Sequence, residues 1–201
     1  MKTFSPRIII TIAMMYIFAF MASGTLSAEN KTINKKTKQL QISFQYNKQQ
    51  GPGSNQYAVW IEDMNSNVVK TLFVTSFTSK GRPRQGQKAD RGYHFRPTCV
   101  PTWVKHANAD ALTDVEVDGF TGATPQVSGL QSFLWNFTDQ NGKPVKSGTY
   151  KFYVEATYYN SSIVLYEGEF NNKKVINWKK SDVQPTTEHA NMVSDFTAIV
   201  K

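Results

Sequence analysis

Cysteine and histidine are scarce in this sequence, which contains one cysteine and three histidines among 201 residues. The single cysteine, Cys99, cannot form a disulfide within the chain. It also lies far from the N-terminus, which excludes a lipid-anchoring cysteine at that end. Because no Cys-x-x-Cys-His sequence is present, covalently attached haem of that kind is excluded as well.

The common catalytic and nucleotide-binding motifs are also missing. The chain contains no G-x-S-x-G, no H-E-x-x-H, no P-loop and no G-x-G-x-x-G sequence. No Ser-His-Asp set and no pair of carboxylates stands out. The sequence therefore does not support a hydrolase.

An apolar run near the N-terminus indicates export from the cytoplasm. Two basic residues precede the apolar residues 8–22, and small residues follow them, which is the order of a secretory signal peptide. The run is shorter than the roughly twenty residues that a membrane-spanning helix needs. We predict a signal peptide over 1–28, cut after Ala28, followed by a flexible tether over 29–38. A cut after Gly24 and an uncleaved anchor are the alternatives.

Charged residues are few, at 19%, whereas hydrophobic residues reach 40% and aromatic residues 13%. This balance is typical of a globular domain, and the aromatic enrichment favours strands. Lys2 and Arg7, in the predicted signal peptide, contribute two of the eight net positive charges. Because we expect an extracytoplasmic protein, an anionic envelope surface or an acidic partner is favoured over nucleic acid.

Alternation of polar and apolar residues dominates the rest of the chain and predicts strands. The predicted strands cover 39–46, 57–62, 68–77, 113–118, 130–137, 149–158, 163–170 and 192–200. Turn sequences separate several of them, and no amphipathic helix is evident. We therefore predict an all-β, immunoglobulin-like sandwich of about 8–9 strands over 39–201, with long irregular loops.

Residues 129–156 read GLQSFLWNFTDQNGKPVKSGTYKFYVEA. This segment resembles the immunoglobulin-like repeat of flagellar hook-capping proteins. We expect Trp135 to fill the core, and Asn141 with Gly142 to form the tight turn. The resemblance implies a fold and no particular function.

A wider resemblance includes the strands VWIED at 59–63 and VKTL at 69–72. With these strands, the whole chain after the signal peptide resembles the periplasmic family called "domain of unknown function 2271". The resemblance implies an envelope redox system that contains a flavin transferase and a membrane-embedded redox partner. It implies no membrane span in this chain once the signal peptide is cleaved.

Residues 118–124 read DGFTGAT. They match D-x-x-[S/T]-G-A-T, the acceptor motif of extracytoplasmic flavin transferases. The resemblance implies that FMN, taken from FAD, is joined to the Thr124 hydroxyl through a phosphoester. A carboxylate in the motif could hold Mg²⁺ during transfer, and small residues would leave room for the transferase. The recognition residues that the motif implies are Asp118, Thr121, Gly122 and Ala123.

A structural role for the same segment is an open alternative. Pro125 follows the motif and restricts the backbone of Thr124. A glycine-containing turn between Val117 and Leu130 would have the same sequence. The two hypotheses are therefore an electron carrier with covalent FMN on Thr124, and a non-catalytic interaction module of an envelope complex.

Several other residues each have two interpretations. The basic segment 80–96 could bind an anionic partner or a flavin phosphate, or it could be a solvated loop. His94, Cys99 and His106 could ligate a metal, but their spacing matches no standard site, so packing or surface roles are favoured. His189 lies in a polar stretch and is predicted to be exposed.

Acidic and aromatic residues around the motif are equally ambiguous. Asp114, Glu116 and Asp118 form one face of a predicted strand, which could bind a cation but is typical of a solvated sheet face. Trp103 or Tyr93 could stack on a flavin ring, although packing in the core is favoured for both.

Overall fold

The fold is seen in a computed structural model that describes residues 37–83, 89–159, 162–184 and 189–201. The predicted signal peptide over 1–28 lies outside these residues, as does the tether up to residue 36. The described chain from Thr37 onward forms one compact unit.

Nine strands lie within the described ranges and form two sheets. The strands are β1 Leu40–Tyr46, β2 Asn55–Glu62, β3 Val68–Thr75, β4 Thr121–Gly122, β5 Gly129–Trp135, β6 Thr149–Tyr158, β7 Ser162–Asn171, β8 Val175–Gln184 and β9 Val193–Val200. One sheet has the order β5-β1-β9, and the other has the order β4-β3-β2-β6-β7-β8. Only the β3–β4 pair is parallel. The predicted all-β sandwich is therefore confirmed.

The core between the two sheets follows the alternation in the sequence. Alternate residues of β1, from Leu40 to Tyr46, are fully buried. Trp135 is also fully buried, and its ring meets those of Tyr150 and Phe170 edge to face, at centroid distances of 5.3 and 5.6 Å. Its indole N–H donates to the Thr138 carbonyl at 2.7 Å. The predicted core position of Trp135 is confirmed.

The tight turn at residues 139–142 forms as predicted. The Asp139 carboxylate accepts hydrogen bonds from the backbone N–H groups of Asn141 and Lys143. Gly142 has a φ of +78°, a conformation that glycine adopts without steric cost. The turn between β2 and β3 has a similar arrangement, in which the Asp63 carboxylate accepts from the backbone N–H groups of Asn65 and Asn67.

The segment between β3 and β4 forms a helical layer on the outer face of the six-stranded sheet. Its helices are α1 Ser76–Lys80, α2 Gly92–Phe95, α3 Pro101–His106 and α4 Asp114–Asp118, with a 3₁₀ turn at Ala109–Ala111. Apolar residues of this layer, such as Trp103, belong to one buried cluster with Trp60 and Tyr153 of the sheet. No amphipathic helix was evident in the sequence, so this layer was not predicted. Within the basic segment 80–96, residues 81–83 and 89–91 are irregular and 92–95 form α2, whereas 84–88 lie outside the described residues.

The strand predicted over 113–118 is the helix α4. The Thr113 hydroxyl accepts from the Glu116 backbone N–H, and the Glu116 carboxylate accepts from the Thr113 N–H, which is a capping box. Val117 is buried, whereas Val115 is 82% exposed. On a strand, Val115 and Val117 would lie on the same face, whereas in α4 they lie on different faces.

Strand register brings several loops to one end of the six-stranded sheet. Gly122, at the end of β4, lies beside Thr75, at the end of β3. The antiparallel partner of β3 is β2, so the first residues of β2 lie at the same end. Asn55, where β2 begins, pairs with Tyr158 of β6. We call this end of the six-stranded sheet the Gly122 end.

Candidate functional site

The DGFTGAT segment runs from the last residue of α4 through the edge strand β4 into the loop before β5. Asp118 ends α4, and Thr121 with Gly122 forms β4 at the edge of the six-stranded sheet. Ala123 is exposed, and Thr124 is half-buried in the loop that follows. The segment therefore lies at the surface, where a second protein could reach it.

Two positions of the motif have structural reasons for their residue type. The Thr121 hydroxyl donates to the Val117 carbonyl at 2.7 Å and lies 2.8 Å from the Ser79 hydroxyl oxygen. A β-carbon on Gly122 would lie 2.1 Å from the Phe73 ring. These contacts therefore account for the residue types at positions 121 and 122, whether or not a cofactor is bound.

Replacing Gly122 with alanine is expected to lower the free energy of unfolding by about 1–3 kcal/mol, because the added methyl group overlaps the Phe73 ring. The matched control is Gly129→Ala in β5, where a β-carbon meets no atom within 4 Å. The control is expected to stay within about 0.5 kcal/mol of the wild type. Urea unfolding checks both variants, and equal stability of the two would contradict the packing argument.

Asp118 and Thr124 have no comparable structural reason. Asp118 is exposed and pairs with Lys80, which is also exposed. A carboxylate at the C-terminal end of a helix is electrostatically unfavourable, so its position does not favour α4. Among the described residues, the Thr124 hydroxyl makes no hydrogen bond, although the Thr124 carbonyl accepts one from Gln126. These are the two motif residues whose side-chain oxygens the acceptor hypothesis uses, Thr124 as the acceptor and Asp118 as a recognition residue.

The three acidic residues of α4 do not form one face. Asp114 pairs with Arg91, and Asp118 pairs with Lys80. Hydrogen bonds from Thr113 lower the pKa of Glu116, which caps the helix. The predicted acidic strand face was therefore wrong.

The three residues considered as metal ligands have separate surroundings. The imidazole of His94 lies 2.7 Å from a carboxylate oxygen of Asp110 and 2.7 Å from one of Asp90, and these hydrogen bonds raise its pKa. Cys99 is buried, which raises the pKa of its thiol to about 11. His106 contacts the buried carboxylate of Glu62. Over the described part of the chain, no group of three or more His, Cys, Asp or Glu side chains could hold a metal ion.

The aromatic candidates for flavin stacking lie in the core, as the sequence favoured. Trp103 is 1% exposed, and its indole N–H donates to the Thr71 hydroxyl. Tyr93 is 6% exposed. His189 was predicted to be exposed, but it is half-buried because its ring packs on Tyr158 at a centroid distance of 4.6 Å.

Two fully buried carboxylates under α3 were missed by the sequence reasoning. Glu155 accepts backbone N–H bonds from Thr102 and Trp103 in the first turn of α3. Burial raises its pKa to about 7, although these hydrogen bonds act in the opposite direction. Glu62 accepts from the Trp60 indole N–H, and its second oxygen has no partner among the described residues. Alternation places both carboxylates on the outer sheet face, but no sequence signal showed that this face is covered.

A cleft of about 610 Å³ opens at the Gly122 end of the sheet, between the loop before β2 and the helical layer. Phe77 of α1 forms part of its wall, and Phe95 at its rim is 63% exposed. The guanidinium carbons of Arg82 and Arg96 lie 5.6 and 5.9 Å from the centre of the Phe77 ring. The basic segment predicted over 80–96 therefore contributes two cations to one aromatic surface.

A second cleft, of about 850 Å³, lies between α1, α2 and α4. Its wall carries both signs of charge, including Arg91 and His94 beside Asp110 and Asp118. Because most of these groups are paired with one another, this cleft has less free charge than the cleft beside Phe77.

Comparison with known families identifies the chain. A family model described as "predicted periplasmic protein (DUF2271)" matches residues 37–191. The chain belongs to this family. The expected periplasmic location is thereby confirmed for this DUF2271 protein. No curated protein and no solved structure matches it. Within the described ranges, no helix is long and apolar enough to cross a membrane.

Proposed function

We propose that this DUF2271 protein is a periplasmic electron carrier with FMN covalently attached to Thr124. The observation that supports this most directly is the division of roles within DGFTGAT. Packing accounts for Thr121 and Gly122, whereas Asp118 is exposed and the half-buried Thr124 has a hydroxyl that makes no hydrogen bond among the described residues. Bound FMN would supply one-electron and two-electron redox chemistry.

The attachment reaction needs a free hydroxyl and an approachable backbone. The Thr124 oxygen attacks the phosphorus on the FMN side of FAD, the pyrophosphate bond breaks, and AMP leaves while the hydroxyl proton is removed. Asp118 can contribute carboxylate oxygens to a Mg²⁺ ion, which prefers such ligands. The outer edge of β4 carries no further strand among the described residues, so a transferase could approach it.

Attachment is tested by producing the protein together with a flavin transferase in a host that exports both. We expect wild type to gain the mass of one FMN group and to fluoresce after denaturing electrophoresis. Thr124→Val should gain no flavin, because it keeps the shape and loses the hydroxyl, whereas Thr124→Ser should be modified.

A folding control separates attachment from stability. Because the Thr124 hydroxyl makes no hydrogen bond to the described residues, Thr124→Val should unfold within about 0.5 kcal/mol of the wild type. A wild-type protein that stays unmodified beside an active transferase would overturn the proposal. Flavin on Thr124→Val would overturn the assignment to Thr124.

A non-catalytic interaction module is the second candidate, and one surface favours it. Leu130, Leu134 and Ile199 are 72%, 56% and 46% exposed on the outer face of the three-stranded sheet. Strand register places Leu134 and Ile199 on either side of Gln41. If this function holds, Leu134→Gln with Ile199→Gln should impair the protein in its native envelope, whereas Thr124→Val should not.

A further inference from the structure

The cleft beside Phe77 and the acceptor residue lie at the same end of the six-stranded sheet. Thr124 follows Gly122 by two residues, and Phe77 follows Thr75 by two residues, where Gly122 and Thr75 are paired neighbours. Pro52 and Gly53, on the opposite wall of the cleft, come directly before β2. No residue of the motif lines the cleft, so a flavin on Thr124 has to reach it across the ends of β4 and β3, which are about 4.8 Å apart.

The charges in the cleft favour an anion. Neither Arg82 nor Arg96 forms an ion pair with a carboxylate in the part of the chain that the structure describes. Asp90 also lines the cleft, but its carboxylate is bonded to His94. Two guanidinium groups are thus available to a ligand, each able to donate several hydrogen bonds.

The shape of the cleft favours a flat aromatic group. The guanidinium groups of Arg82 and Arg96 lie over the Phe77 ring and form a stacking surface together with it, and the exposed Phe95 extends the apolar surface to the rim. A volume of about 610 Å³ is within the usual range for small-molecule sites. Guanidinium planes and aromatic rings both stack on flat aromatic ligands.

We propose that the flavin ring carried on Thr124 binds in this cleft against Phe77, with Arg82 and Arg96 stabilising its reduced, anionic form. This inference rests on the proposed function. Positive charge near the ring favours the electron-rich state, so the cleft raises the reduction potential of the bound flavin.

The test compares three flavin-loaded proteins: wild type, Arg82→Gln with Arg96→Gln, and Lys173→Gln with Lys174→Gln. The two lysines are exposed in the turn between β7 and β8. Replacing them therefore removes the same amount of charge at a place away from the cleft. Intact mass reports loading, which should be equal in all three. We expect the arginine variant to show a more negative reduction potential than wild type, and the lysine variant to match wild type.

Two results would overturn the inference. One is a loaded wild type whose flavin has the reduction potential of free FMN. The other is an arginine variant that cannot be distinguished from wild type. If intact mass shows no attached flavin, the proposed function fails. Titration of free FMN into the unmodified protein then tests whether the cleft binds flavin. Binding that the arginine variant loses would support the cleft as a flavin site, and no binding would reject it.

Discussion

Replacing Trp135 with alanine is expected to lower the free energy of unfolding by about 3–5 kcal/mol. Its side chain is fully buried and meets the rings of Phe137, Tyr150 and Phe170. Truncation removes these contacts and leaves a cavity between the two sheets. Because domains are stable by only about 5–15 kcal/mol, this change could remove much of the stability of the fold.

Trp178→Ala is the matched control, since Trp178 lies on the edge strand β8 and is 46% exposed. It contacts Phe196 and Tyr166, so we expect a smaller loss, below half of that for Trp135→Ala. Urea unfolding followed by far-ultraviolet circular dichroism compares the two variants without relying on tryptophan fluorescence. Similar losses would contradict the assignment of Trp135 to the centre of the core.

The second large effect is a dependence of stability on pH that originates at Glu155. Burial raises its pKa from 4.5 to about 7 in the folded protein. Between these values the unfolded chain releases the proton and the folded protein retains it. The free energy of unfolding should therefore fall by roughly 3 kcal/mol as pH rises through this window, and level off above it.

Glu155→Gln is expected to abolish this contribution, because the amide is neutral throughout. The raised pKa of His94 also favours the folded state at low pH, so the comparison with wild type isolates Glu155. Glu167→Gln, at a partly exposed position paired with Lys179, should keep the wild-type slope. Urea unfolding at several pH values between 4.5 and 8 measures the slopes. An unchanged slope in Glu155→Gln would contradict the prediction.

Local sequence predicted the sandwich because its core depends on a period of two. Leu40 to Tyr46 of β1 and the strand ending at Trp135 were found from alternation and a turn signal alone. The strand β8 was missed because it is a sheet edge. Ile176 and Trp178 are exposed there, so the strand lacks a clean apolar face.

The helical layer was missed for a different reason. The residues 113–118 alternate as a strand would, yet the capping box between Thr113 and Glu116 makes them a helix. Short helices gain most of their stability from packing, and here they cover Trp60 and Tyr153 on the sheet. Local periodicity does not reveal that such a cover exists.

For this protein, the sequence alone determined the all-β core and predicted export and the acceptor motif, because each depends on neighbouring residues. Tertiary structure alone decided that Glu155 is buried, that Gly122 packs on Phe73, and that Arg82 and Arg96 flank Phe77. These contacts join segments that are separate in sequence. They follow from the strand register and from the helical layer. Neither of these features can be recognised in a short stretch of the sequence.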